Sequence, residues 1–191
     1  GHLGEICFVR ITQMMKPEEA DFNSGNLPWK VRFEETGGGK FIDMGTHLLD
    51  LVEYLISPID SGSIASFAAN FAHLYKAEDA VCASMRCKNG VLISGNWIYS
   101  ASYNEDELLI AGSKGKISTG GLSYNPVKVL IDGKEEIKEF VEPQHIAMPY
   151  QQLIINEILG LGKSPADIMS AVNNVLAIDK ILRQYRDKIK N

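Results

Sequence analysis

Four polar or titratable side chains between positions 43 and 54 fall on one side of a helix. Wound at about 100° per residue, the segment 41–56 carries Asp43, His47, Asp50 and Tyr54 within one narrow arc. Phe41, Met44, Leu48, Leu49, Val52, Leu55 and Ile56 fill the opposite arc. Gly45 lies among them, where a missing side chain would let the helix approach a sheet closely. A histidine one turn from a carboxylate suits proton transfer, because the unperturbed imidazole titrates near working pH. Two plainer readings fit the same arc. Any surface helix shows a polar stripe, with Asp43 favoured in the first turn by the helix dipole and paired to His47 at i, i+4. Alternatively, Asp43, His47 and Asp50 offer three metal ligands. Three ligands on one helix rarely converge on one ion, however, and there is no second histidine cluster, so no metal is expected.

The elements around this helix can be read from period and punctuation. Residues 3–12 form a strand-like run rich in β-branched and aromatic side chains. Residues 13–36 have no clean period, and a loop this long inside a compact domain is usually functional. Gly37-Gly38-Gly39 opens the helix and Ser57-Pro58 closes it. From Gly62 the period switches to two, with strands expected at 64–75, 79–88, 91–99, 106–112, 115–119, 127–131 and 135–141. Hairpin turns are expected at 88–90, 113–115 and 132–133, where Asn or Gly accepts positive φ. Two helices end the chain, one over 149–161 and one starting at Ser164-Pro165, an N-cap serine with proline at N1. The order predicts an α+β domain: one broad, open-faced, mixed but mostly antiparallel sheet with helices on one face. The uncovered face is expected to carry Val81, Met85, Ile93 and Trp97 and to pair two copies of the chain. Phe67, Phe71, His73 and Tyr75 alternate along one strand face, which reads as sheet packing or a subunit interface.

The net charge of -5 comes without a basic cluster of the kind nucleic acid needs, so no nucleic-acid partner is expected. No apolar run reaches the roughly 18 residues of a membrane span, and no signal peptide opens the chain. Cys7, Cys82 and Cys87 form no CxxC pair and sit in strand-like runs, which predicts buried thiols in a reducing cytoplasm. No GxGxxG follows a strand and no βαβαβ alternation occurs, so no nucleotide-binding half is expected within these residues.

Trp29-Lys30-Val31-Arg32, Gly37-Gly38-Gly39, Asp43, Gly45, His47 and Asp50 together read W-K-x-R-x4-GGG-x3-D-x-G-x-H-x2-D. This resembles the signature that opens the carboxy-terminal domain of the glucose–fructose oxidoreductase/inositol dehydrogenase/MocA family. The G-x-x-G-E-I opening, the strand–KNG–strand hairpin and the segment 110–117 match more loosely. The resemblance implies that residues 1–191 are the substrate-binding and dimerisation domain of an NAD(P)-dependent oxidoreductase. The substrate would be a sugar, polyol or sugar derivative, and an N-terminal Rossmann domain would hold NAD or NADP. It makes His47 the proton acceptor or donor, with Asp43 orienting the imidazole or binding a neighbouring substrate hydroxyl. Gly38, Gly39, Trp29, Lys30, Arg32 and Asp50 become substrate-side residues, with His145, which precedes a helix, reaching the same cleft. The family's catalytic lysine, in a Glu-Lys-Pro motif of the nucleotide domain, has no counterpart; Met15-Lys16-Pro17 is not that motif. Lys30 and Arg32 also depart from the residues the family often carries there. The alternative reading is a sugar-binding or dimerisation module that keeps the fold without redox chemistry.

Overall fold

The structure is a computed structural model that describes residues 1–165 and 168–190, without the Lys190 side chain. Eight strands form one sheet in the order β2-β3-β4-β1-β5-β6-β7-β8. β1 (Ile6–Met14) runs parallel to β4 (Leu92–Ile98) and antiparallel to β5 (Glu105–Gly112). All other neighbours are antiparallel: β2 (Ala65–Ala69) with β3 (Ala80–Arg86), β3 with β4, and β5 onward through β6 (Gly115–Thr119), β7 (Val127–Ile131) and β8 (Lys134–Lys138). The mixed, mostly antiparallel α+β fold is therefore as expected. The hairpin turns fall at the expected places, but positive φ occurs at two of the three: Gly115 has no positive φ and already begins β6. Gly90 has φ 95°, and Asp132 and Gly133 have φ 49° and 77°, the paired positive angles of a type I′ turn.

One face of the sheet is covered. Val9 and Ile11 of β1, Val81, Ala83 and Met85 of β3, Ile93 and Trp97 of β4, and Leu108 of β5 are buried there. They meet Phe41, Leu48, Leu49 and Val52 from the helical segment after the glycines, and Ala177, Ile178, Ile181 and Leu182 from α4 (Ile168–Lys190). This corrects the expected dimer surface: Val81, Met85, Ile93 and Trp97 are the inner row. Two helices need an apolar floor, and the apolar half of each alternation supplies it. The open face instead carries Phe67, Cys82, Arg86, Leu92 and Arg10, all exposed. Cys7 and Cys82 therefore point to solvent, against expectation. Cys87 alone is buried, and burial pushes its thiol up to about 11.

The expected strand 64–75 ends early, at Ala69. Beyond it, side chains take the backbone donors that a ladder would use. Asp79 accepts from the Phe71 and Ala72 amides, and Asn70 Oδ1 accepts from the His73 amide at 2.8 Å. Phe71 stays exposed while Tyr75 is buried against Val31, Phe33 and Ala77, so these aromatics do not share a strand face. α3 (Met148–Ile158) lies close to the expected span but buries no residue. Ser164 and Pro165 precede α4, whose described part begins at Ile168; the junction at 166–167 lies outside the described residues.

Candidate functional site

The glycine run leads into a helical segment that is not uniform. Phe41–Gly45 form a π-helical turn, and α2 (Thr46–Leu55) continues as regular α-helix. π turns of this kind are rare, and they concentrate at functional sites. A Cβ on Gly45 would overlap the Phe41 ring. That ring meets Trp97 of β4 edge-on, with centroids 4.9 Å apart and planes at 69°. Gly45 thus lets a phenyl ring, rather than the helix backbone, close against the sheet. Leu55, at the edge of the expected apolar arc, is exposed, and Glu53 is buried in the core instead. Its Oε1 accepts the Ile59 amide at 2.7 Å while burial raises its pKa.

Three charged side chains hold the start of the π turn. Lys40 is buried, and its Nζ donates to Asp21 Oδ2 at 2.6 Å and to Glu18 Oε1 at 3.1 Å. This pins the loop between β1 and the glycines. Arg186 of α4 donates through Nε to the Gly37 carbonyl at 2.6 Å. Gly37 caps the short α1 (Phe33–Thr36) with φ 74°, a left-handed angle that favours glycine. Glu78, just before β3, accepts the Gly39 amide through Oε1 at 2.7 Å. Gly38 is packed against Ile42 and Leu182, and its amide donates to Thr36 Oγ1 at 3.3 Å. With the Gly37 amide on the Phe33 carbonyl, all three glycine N–H groups are taken. The run therefore offers no cradle for a phosphate.

On this frame sits a pocket of about 320 Å³ lined by Trp29, Lys30, Thr36, Gly39, Asp43 and His47, among others. Lys30 Nζ donates to Asp43 Oδ2 at 3.2 Å, with both side chains about one-third exposed. His47 is exposed at the pocket's edge and makes no hydrogen bond among the described residues; the carboxylate one turn back is spent on Lys30. Trp29 leaves 63% of its surface open, a flat apolar face beside a cation, a carboxylate and an imidazole. His47 also borders a second pocket of about 510 Å³, lined by Asp50, Tyr54, Tyr150, Met169 and Asn173 among others.

Of the residues singled out from sequence, Trp29, Lys30, Gly39, Asp43 and His47 come together. Asp50 lies a turn further along, in the second pocket. Arg32 faces away, with Nε on the Leu27 carbonyl at 2.8 Å and Nη1 on Glu35 at 3.0 Å. Gly38 is buried behind the pocket. His145 is exposed in the loop before α3, in neither pocket. Among the described residues, no group of three or more His, Cys, Asp or Glu side chains could hold a metal ion. Sequence reasoning missed Glu78, Lys40 and Arg186. Their one signal was a Glu-Asp pair and a glycine-adjacent lysine flanked by apolar residues, positions where a charge must find a buried partner.

The family model of the GFO/IDH/MocA C-terminal domain matches residues 1–118. "Oxidoreductase P35" of Formosa agariphila is 26% identical over 143 residues, which is 75% of this chain and 43% of that protein. Among solved structures, aldose-aldose oxidoreductase from Caulobacter crescentus, complexed with glycerol, superposes with a TM-score of 0.80 at 17% identity, over 98% of this chain and 56% of that one. Levoglucosan dehydrogenase, in complex with NADH and levoglucosan, gives 0.77 at 18% identity over 99% and 58%. The WlbA dehydrogenase from Bordetella pertussis, with NADH and UDP-GlcNAcA, gives 0.72 at 23% over 98% and 54%. The chain thus spans less than half of its curated relative and a little over half of these solved chains. By the match over its first 118 residues, the chain belongs to the GFO/IDH/MocA C-terminal domain family.

Proposed function

We propose that this domain is the substrate half of an NAD(P)-dependent oxidoreductase that acts on a CH–OH group of a sugar, polyol or sugar derivative. The observation that carries the reading is His47, exposed and unpaired at the edge of a pocket that also holds Trp29, Lys30 and Asp43. An aromatic face with flanking charged groups suits a polyhydroxylated ring. As the carbinol becomes a carbonyl its hydroxyl proton must leave, and the free imidazole is the group placed to take it, or to return it in reduction. Lys30 and Asp43 bind hydroxyls beside the reacting one, while Lys30 keeps the carboxylate in place. NAD or NADP would supply the hydride chemistry. The glycine amides here are all engaged, so its phosphates belong to an N-terminal Rossmann domain of the kind the relatives' additional length accommodates.

In the protein joined to that domain, His47→Ala should lower kcat by about 10²–10⁴-fold and move KM much less. Turnover equal to wild type would remove His47 from the mechanism. A second reading, a sugar-binding or dimerisation module without redox chemistry, draws on the Asp43–Lys30 pair, because the carboxylate does not orient the imidazole. It forecasts sugar binding that survives His47→Ala. Self-association through the open sheet face is part of both readings, now with Phe67 and Leu92 as its apolar contacts. No helix of the described residues is long and apolar enough to cross a membrane. The free, exposed thiols of Cys7 and Cys82 suit the reducing cytoplasm.

A further inference from the structure

Glu78 is fully buried, yet only one of its two carboxyl oxygens has a partner. Oε1 accepts the Gly39 amide, and Oε2 is shut away from solvent with no hydrogen-bond partner among the described residues. The two segments touch closely enough that a Cβ on Gly39 would overlap the Glu78 carbonyl oxygen. The Gly39 peptide is engaged at both ends, since its own carbonyl accepts the Ile42 amide at 3.2 Å. A continuous bonded path thus runs from the Glu78 carboxyl through Gly39 to the π turn, one residue from Asp43.

The charges around Glu78 are already committed. Asp79 spends its carboxylate on the Phe71 and Ala72 amides. Arg186 of α4 is held by the Gly37 carbonyl and by Asp179. Lys40 faces Asp21 and Glu18. Tyr75, Tyr99 and Tyr185 lie within reach of its charge, and their own pKa values are raised, chiefly by burial. Burial, and to a smaller degree the Asp79 charge, favours the neutral carboxyl, while the Gly39 and Glu78 N–H groups and the Arg186 charge favour the carboxylate. The outcome pushes the group up to about 7, so that both forms are populated near neutrality.

We propose that Glu78 is a positioning residue whose state of protonation sets how tightly Gly39 is held, and through Gly39 where the π turn places Asp43. The carboxylate grips the amide with a charge-assisted bond, and the neutral carboxyl accepts the same N–H more weakly. The inference rests on the reading above only in taking Asp43 and His47 as the site. Its test needs no turnover and stands or falls separately.

The test is a pH titration of the isotopically labelled 191-residue chain by NMR, from about pH 5.5 to about pH 8.5. The Gly39 amide should shift with a midpoint near 7, and the Ile42 and Asp43 amides should share that inflection. Glu78→Gln keeps an acceptor oxygen but has no proton to lose, so it should abolish the shared inflection. The side-chain carboxyl carbon of Glu78 in the wild-type chain gives the same midpoint directly, should the variant fold poorly. A flat Gly39 resonance, or an inflection that persists in Glu78→Gln, overturns the proposal. A Gly39 shift with flat Ile42 and Asp43 amides overturns the positioning role.

Discussion

Replacing Lys40 by methionine should be among the most damaging single changes this domain can suffer, although that side chain lines neither of the pockets beside His47. The Lys40 side chain is 2% exposed, and that of Asp21 is fully buried with Nζ 2.6 Å from its Oδ2. Glu18, at 3.1 Å, is 49% exposed and contributes as a surface pair does, about 0–1 kcal/mol. Methionine fills most of the lysine stem's volume, so the cavity contribution is small. The dominant cost is the Asp21 carboxylate left without its cation. Its Oδ2 keeps the Glu18 amide, but Oδ1 is buried with no hydrogen-bond partner among the described residues. Removing one member of a buried pair costs about 3–5 kcal/mol. For a domain of this size about 1 kcal/mol moves Tm by about 2–4 °C, so the melt should fall by roughly 6–20 °C. Differential scanning calorimetry of Lys40→Met, Asp21→Asn and the double variant closes a cycle. The double variant should lose markedly less than the sum of the singles, because the second change removes the charge that the first orphaned. A single-variant loss under about 1 kcal/mol, or strict additivity, would refute the claim that this pair ties the loop to the π turn.

Three further outcomes are expected. Gly45→Ala should cost about 1–3 kcal/mol in chemical denaturation, because the new methyl collides with the Phe41 ring that Trp97 backs; unchanged stability would mean the ring has room to swing. The Glu78 carboxyl is near 7 when folded against a reference of 4.5, so the folded state holds its proton longer than the unfolded chain does. Its contribution is full below about pH 4.5 and is lost as pH rises to about 7, a change of roughly 3 kcal/mol relative to Glu78→Gln; parallel stability curves for the two proteins would contradict it. Phe67→Glu together with Leu92→Glu should abolish self-association in sedimentation while leaving Tm within a few degrees, since both side chains are exposed on the open face; a dimer that survives both changes must use another surface.

The fold was legible wherever a local rule settled the backbone. Asn89-Gly90 and Asp132-Gly133 announce their turns because few other residues adopt those angles, and the strands between them follow. It was illegible where a distant side chain overrode the local pattern. Phe71, His73 and Tyr75 continue the alternation of β2, and only Asp79 and Asn70, by capturing backbone amides, take them out of the sheet. Which face of β3 and β4 the helices cover is a question of supply. α2 and α4 both need an apolar floor, and Val81, Met85, Ile93 and Trp97 are the residues that can make it. The proposed self-association is then left with the opposite, open face.

The candidate site divides in the same way. Asp43 and His47 were readable because one turn of helix brings i and i+4 together, and across the π turn both still line one pocket. Lys30 and Trp29 were readable only through a family pattern, since no local period joins a loop at 29–30 to a helix at 43. The same pattern placed Arg32 on the substrate side, but its guanidinium is drawn to the Leu27 carbonyl and Glu35, and it does not line the pocket that holds Asp43 and His47. What no pattern displayed is the frame. Asp21, Glu78 and Arg186 come from three separate stretches of chain and meet only around residues 37–40. Each holds a backbone or ammonium group, Asp21 and Glu78 from full burial and Arg186 from partial burial, so each is costly to disturb. That cost is what lets a glycine run, among the least rigid sequences available, place the π turn firmly. The flexibility that glycine brings to the unfolded chain is removed here by long-range charged contacts, and His47 stays exposed because its neighbours, not its own hydrogen bonds, fix where it stands.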